Sequence, residues 1–508
     1  MRLLFIVPSN VHKTTAGSRI RYDRLALGGQ YFDVTIESVG ELTPERLSSC
    51  DVCVLSKTYS SEAIAIARAV KAMGKIVGLD LFDDYFSQWG DPRLLRFRRW
   101  LRLACDACDF ALCSTSVMRR IVEHYAPELP VHILPDLYPE IDPAAMEPLV
   151  AEKLLRAQAE RSIDILWFGI GSNPTFPVGL QDLAAYSSSL HALASHGFRP
   201  KLTILTNKAA LRPERLAQLS RLPIDHRIAF WSLEAEEEAL ATAFACFLPV
   251  NGQSFSRAKS LNRALTAISA GAQVLSPGFP LYAELDPVIY TDPAELVEDA
   301  ATGRCRIRVD NLADVARLVA RTSAVTSLAS DLFDFLAARI QAKAQEVPKS
   351  RNTQRIALIY GVSLDVPAVG GAKAAGVLSV ASPFVQVERA YDIRFDYRAG
   401  RHFDIWITPQ MKEHLAPDLG ARLAPPVKRG KLMMHKVDVG DTALLEKKSP
   451  IQPGDARPIV QETGAYRYLL GEVERVCRAL FPTFEFSLAE LHVCRIPAMS
   501  PSSTVVAQ

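Results

Sequence analysis

A chain that binds nucleic acid over a broad surface carries a surplus of positive charge, and this one does not: its 58 basic and 56 acidic side chains leave a net charge of +2. That balance argues against a dedicated nucleic-acid binder. Long apolar runs are missing as well. The opening run at 3–7 falls far short of the roughly 20 residues of a membrane span, and it lacks the small-residue cleavage site of a secretory signal. It reads as the first buried strand of a cytoplasmic protein. The G-x-G-x-x-G fingerprint is also absent. Gly17-Ser18-Arg19-Ile20-Arg21 resembles a glycine-containing loop opening a helix without matching that motif, which argues against a nicotinamide-dependent enzyme.

Cysteine is sparse and scattered, nine residues in 508. Cys50/Cys53 and Cys105/Cys108 have the spacing of two halves of a four-thiolate zinc site. Their surroundings are those of strands and a helix end, whereas a zinc knuckle needs a tight turn with converging thiolates. They read as small core residues of a reducing compartment, and no metal is expected.

What the sequence does contain is alternation. Short apolar runs at 3–7, 34–38, 52–56, 76–79, 110–113 and 131–134 are separated by helical stretches such as 61–73, and the pattern resumes at 163–168, 202–205, 228–231, 246–250 and 273–276. Strand and helix in strict alternation imply parallel sheets covered on both faces. The expected fold class is therefore α/β, two tandem Rossmann-like domains at 1–145 and 160–345, joined by a Pro-, Ala- and charge-rich connection at 140–160. A long helix at 331–343 closes this half of the chain. A smaller α/β or α+β domain is expected at 354–495, with strands at 391–395 and 403–407 and a helix at 466–480, and a disordered tail at 500–508.

The stretch 247–282 organises the rest. It reads as strand, polar loop, two-faced helix and strand in direct succession. Leu261, Ala264, Leu265 and Ile268 form the apolar stripe, with Lys259, Asn262, Arg263 and Thr266 opposite. A polar loop delivered to a helix start offers unpaired N–H groups and the positive end of the helix dipole, and Arg257, Lys259 and Ser260 stand there. This is a pocket for a phosphate-bearing ligand, or else a surface helix with solvated basic residues.

Strand ends in the first half deliver further polar groups: His12, Lys57, Asp80, Asp83, Asp84, Ser114, Thr115 and Asp136. Asp83 and Asp84 are candidates for a general base, although acids at strand ends also cap helices or pair with arginine. Between Arg93 and Leu103, arginines at 93, 96, 99 and 102 alternate with Leu94, Phe97 and Leu101. That pattern fits either contact with an anionic membrane face or a solvated arginine face over a packed apolar one.

Five segments in order, FIVPSNVHKTTAGSRIRYDRLA, LSKTYSSEAIAIARAVKAMGKIVGLDLFDDYF, ILWFGIGSN, IAFWSLEAEEEALATAFACFLPV and SRAKSLNRALTAISAGAQVLS, resemble bacterial GT-B glycosyltransferases of the retaining group 1, or family 4. The resemblance covers about residues 1–345. It implies a nucleotide-sugar donor held by the second domain and a glycan, lipid-linked or protein acceptor held by the first, with no metal or other cofactor required. It also implies work on surface polysaccharide in the cytoplasm, at the inner membrane face if the arginine helix docks there. By the same resemblance Gly17 and Ser18 approach the donor phosphates, Arg257 and Lys259, with Ser260, neutralise the diphosphate as it leaves, and Thr266 faces the nucleoside. If the chemistry inverts, Asp83 or Asp84 is the base.

One departure stands out. The family carries two glutamates eight residues apart where this chain has Ala258 and Thr266. The alternative is therefore a non-catalytic scaffold that binds a glycan or a partner protein. A nucleotide-dependent epimerase or dehydrogenase is a third reading, opposed by the absent fingerprint.

Overall fold

The computed structural model describes residues 1–345 continuously and, beyond them, segments between 355 and 490. By internal contacts the chain divides into a unit of Met1–Ser38, Gly78–Arg98 and Asp109–Arg339, and a second of Val39–Val77, Arg99–Cys108 and Ile340–Gln508. The candidate site lies wholly in the first.

Twelve strands build two parallel sheets. The first sheet takes β1 (Arg2–Val7), β2 (Asp33–Ser38), β3 (Val52–Ser56), β4 (Ile76–Leu81), β5 (Phe110–Cys113) and β6 (Val131–Ile133) in the order β2-β1-β3-β4-β5-β6. The second takes β7 (Ser162–Gly169), β8 (Arg199–Thr206), β9 (Asp225–Phe230), β10 (Ala245–Phe247), β11 (Gln273–Leu275) and β12 (Ile289–Tyr290) in the order β12-β11-β10-β7-β8-β9. These are the two Rossmann-like halves expected from the alternation. Their central strands are buried nearly end to end because helices cover both faces.

Two local features differ from the sequence reading. The connection at 140–160 is an 18-residue helix, Pro143–Glu160, whose Met146, Val150, Lys153 and Ala157 are buried in the second half. The Asp142 carboxylate caps it by accepting from Ala144 N (3.0 Å), and Pro143 opens it where no intrahelical donor is needed. The expected helix of the central stretch starts later than expected, at Asn262, and runs to Ser269, while the polar loop before it contains a separate turn at Ser254–Arg257. Side-chain bonds compete with the helix here: Ser256 Oγ donates to Asn251 Oδ1 (2.9 Å), and the Ser260 hydroxyl donates to the Asp136 carboxylate. Ala264, Leu265 and Ile268 are buried as the stripe requires.

The chain passes between the halves twice, and the crossings touch. Tyr138 N donates to Ser323 O (2.8 Å), beside a bridge between Tyr138 and Ala324. The returning helix Val325–Gln345 then packs on the first half, Phe333 meeting Tyr31 and Phe32, and Phe335 meeting Phe110 and His132.

In the second unit β13 (Arg355–Leu364), β14 (Ala374–Ala381), β15 (Asp392–Arg398), β16 (His402–Ile407), β17 (Val427–Arg429), β18 (Leu432–Val437) and β19 (Phe484–Glu490) form a sheet in the order β17-β18-β16-β15-β14-β13-β19. The expected strands at 391–395 and 403–407 correspond to β15 and β16. The expected helix at 466–480 and the tail at 500–508 lie outside the described residues. Among the described residues no helix is long and apolar enough to cross a membrane.

Candidate functional site

In an open parallel sheet the crevice for a ligand opens where the winding reverses, at the carboxyl ends of the strands on either side of the reversal. The second sheet reverses between β7 and β10, which pair through Ala245 with Ile165 and Cys246 with Leu166. Two loops leave that point: Gly169-Ile170-Gly171 after β7, and the segment running from Asn251 to Asn262 after β10.

The first loop depends on its glycines. Gly169 has φ of 144°, and a Cβ on Gly171 would lie 2.3 Å from Thr206 Oγ1. Thr206 Oγ1 donates to Gly169 O (3.1 Å), and Gly171 N donates to Asn207 Oδ1 (2.9 Å), so the loop is held against β8. Facing Gly169 is the guanidinium of Arg263, which also lies over Trp167 (5.2 Å) and Phe168 (5.5 Å). Its Nε and Nη2 are out of solvent and have no hydrogen-bond partner among the described residues. An unsatisfied buried donor costs about 1–3 kcal/mol, and more when charged. The same holds for Ser114 Oγ, just past β5, and Gln253 Nε2, just past β10.

The second loop meets the first half at several points. Gln88 Nε2 donates to Ser254 Oγ (2.8 Å), Thr115 Oγ1 to Ala258 O (3.3 Å), and Arg24 Nη1 to Asn262 Oδ1 (3.1 Å). Lys259 donates to Asp83, and its ammonium lies 4.3 Å from the centre of the Phe255 ring. Phe255 stacks on Phe176 (4.3 Å) and meets Tyr85 (5.5 Å), which stacks on Phe97 (4.8 Å). Burial pushes the Tyr85 hydroxyl above its usual range, reinforced by the Asp83 carboxylate.

The carboxylates at the strand ends of the first half that face the cleft are engaged. Asp80 is fully buried and accepts from Arg21 Nε (2.9 Å), Arg21 Nη2 (2.6 Å) and Tyr22 OH (2.7 Å). Arg21 Nη1 reaches Asp136 Oδ1 (2.9 Å), the same carboxylate that Ser260 bonds. Losing one partner of such a pair costs about 3–5 kcal/mol, so Asp80 serves the frame of the cleft. Asp84 accepts from Phe86 N (3.0 Å), Ser87 N (2.9 Å) and the Ser87 hydroxyl, closing the turn after β4. Asp83 holds Lys259.

Of the residues singled out in the sequence, the structure brings together Asp83 with Lys259, and Ser260 with Asp136. Arg257 points elsewhere: its Nε donates to Gly252 O (2.5 Å), its guanidinium lies over Phe279 (5.1 Å), and it lines a separate cavity. Gly17 and Ser18 form a helical turn in which Ser18 Oγ donates to His12 O (2.6 Å). The next residue, Arg19, reaches the Trp231 ring of the second half at 5.3 Å. Thr266 sits half-buried in the middle of its helix. Along the arginine-rich run Leu94, Trp100 and Leu101 are buried and Arg98 donates inward to Gln88 O (2.7 Å), while Arg93, Arg96 and Arg102 are exposed.

Sequence reasoning placed Arg263 only on the polar face of its helix. Spacing fixes the face of a helix but not whether a polar group there finds a partner. The clue available was its i+4 position from Lys259.

No family model matches the sequence, and a comparison with curated proteins finds no match. Among solved structures, the chain is similar to a trehalose-6-phosphate structure from E. coli bound with UDP-2-fluoro glucose, at 10% identity and a TM-score of 0.46, over 67% of this chain and 99% of that one. It is similar to Anabaena HepE in complex with UDP and glucose, at 13% identity and a TM-score of 0.46, over 66% and 100%. A third is an alpha,alpha-trehalose-phosphate synthase (UDP-forming) from Burkholderia xenovorans in complex with glucose-6-phosphate, at 12% identity and a TM-score of 0.44, over 66% and 100%.

Proposed function

We propose that this protein is a glycosyltransferase that takes its sugar from a nucleoside-diphosphate donor bound at the reversal point of the second sheet. The observation that carries the reading is Arg263. Its buried, unpartnered guanidinium nitrogens face the glycine loop at the carboxyl end of β7. A guanidinium fork matches two phosphate oxygens, and a diphosphate that gains charge as the glycosidic bond breaks is held more tightly in the transition state than in the ground state. Lys259 supplies a second cation once released from Asp83, and the segments quoted from the sequence resemble such enzymes in their order. The acceptor, a glycan, a lipid-linked sugar or a protein, binds on the first half.

Transfer with retention is the reading that the family resemblance supports, and the engagement of Asp80 and Asp84 agrees with it. Inversion needs a general base beside the acceptor hydroxyl; Asp80 is bonded to Arg21 and Asp84 to a backbone turn, which leaves Asp83, once Lys259 departs, as the carboxylate that could serve. A second reading is a scaffold that binds the nucleotide without turnover, favoured by Ala258 and Thr266 where the resembling family has glutamates.

The test is titration of a panel of nucleoside diphosphates by calorimetry. Arg263→Ala is expected to weaken the best binder roughly ten- to a hundredfold, the value of a charge-assisted contact. Lys259→Ala is expected to weaken it less. If no nucleoside diphosphate binds, or if affinity is indifferent to Arg263, the reading fails. Binding with neither transfer nor hydrolysis of the matching nucleotide sugar identifies the scaffold.

A further inference from the structure

A cavity of about 240 Å3 opens on the first half beside the turn after β4 and the helix Ser116–Tyr125. Its walls include Ser87, Trp89, Arg120, His124 and Tyr125, with Arg257 reaching in from the second half. Trp89 is the unusual member. It stacks on Tyr125 (5.4 Å, 17° between planes) and meets His124 edge-on (4.9 Å), yet 55% of its surface remains exposed. The tryptophan is thus fixed in orientation by its neighbours while most of its apolar surface is left uncovered. Arg120 is exposed, with no ion pair among the described residues, and Arg257 donates from Nε to Gly252 O with its guanidinium over the Phe279 ring. The one carboxylate in the wall, Asp84, is committed to the Phe86 and Ser87 donors.

We infer that this cavity is a subsite for a single sugar ring carrying an anionic group, a phosphate or a carboxylate. The inference rests on the glycosyltransferase reading in that it names the acceptor class. A pyranose presents a face of C–H groups, apolar and weakly positive, that complements the negative face of an indole. The hydroxyl edge of the ring finds polar partners at the rim, and the two guanidinium groups recognise the charge. Size sets the limit: pockets for drug-sized ligands run from roughly 300 to 1,000 Å3. The volume here suits one ring rather than an oligosaccharide or a whole nucleotide.

The experiment is a titration of the full chain with a hexose phosphate, glucuronate, glucose and inorganic phosphate, with and without UDP, read by tryptophan fluorescence and calorimetry. The two charged sugars are expected to bind at least about tenfold more tightly than glucose. Trp89→Ala is expected to weaken both by about tenfold or more, Trp89→Phe to recover most of the loss, and Arg120→Gln to erase the advantage of the charged sugars over glucose. Equal affinity for glucose and its charged derivatives overturns the inference. So does inorganic phosphate binding as tightly as the hexose phosphate, or indifference to Trp89→Ala. UDP binding with no charged-sugar binding overturns this inference alone, whereas charged-sugar binding with no nucleotide binding counts only against the donor site.

Discussion

At the scale of single residues, the frame is fixed in part by buried, hydrogen-bonded charges. Asp80 and Arg21 are one case and Lys153 is another. Lys153 is 3% exposed, and its Nζ donates to Leu240 O and Ala270 O, both at 2.6 Å, near the carboxyl ends of two helices. Burial lowers its pKa from 10.5 to about 8. The consequence for stability has a definite sign. Between about pH 8 and 10.5 the unfolded chain retains a proton that the folded chain has released, so this group makes the fold more stable as pH rises, by at most about 1.4 kcal/mol per unit. Below pH 8 both states carry the proton and the slope vanishes. The melting temperature of the wild type relative to Lys153→Met is therefore expected to be flat from pH 6 to 7.5 and to climb from pH 8 to 10. Parallel curves across that range would refute the assignment.

At the scale of elements, most of the strand framework was legible in the sequence because apolar runs of five or six residues bounded by polar turns have few other uses. The connecting helix was not. Pro143 and Pro148 masked it, although Asp142 and Pro143 together form an ordinary helix start. The site was legible in part: Lys259 and Asp83 each stood out at a loop or strand end, but their pairing spans 176 positions and nothing local announces it. The orphaned state of Arg263 is likewise a property of packing. Packing also explains Gly78 in β4, which pairs with Phe110 of β5; a Cβ at this glycine would lie 2.2 Å from the phenylalanine ring. Gly78→Ala is expected to destabilise by about 1–3 kcal/mol, visible as a lowered melting temperature. Gly40→Ala, where a Cβ meets nothing within 4 Å, serves as the control and should stay within about 0.5 kcal/mol.

At the scale of the first unit, the two Rossmann-like halves meet across the cleft through polar contacts of the 251–262 segment and through an aromatic cluster, and magnitudes say which of these two matters more. The Lys259–Asp83 pair has its lysine side chain 39% exposed, and pairs of that kind contribute about 0–1 kcal/mol. Phe255 is 4% exposed between Phe176 and Tyr85, and truncating a buried phenylalanine costs about 3–5 kcal/mol. Phe255→Ala is therefore expected to enlarge the radius of gyration in small-angle scattering, with Lys259→Ala leaving it unchanged. An equal effect from both, or none from Phe255→Ala, would show that the aromatic cluster does not hold the halves.

The paired crossings at Tyr138 and Ser323 set how the halves can part. A single flexible connection allows twist, slide and swing in any direction. Two chain passages fastened side by side by a backbone hydrogen bond behave as two pins on one door: they leave rotation about the line through them and resist translation. Opening about that line is expected to part Lys259 from Asp83.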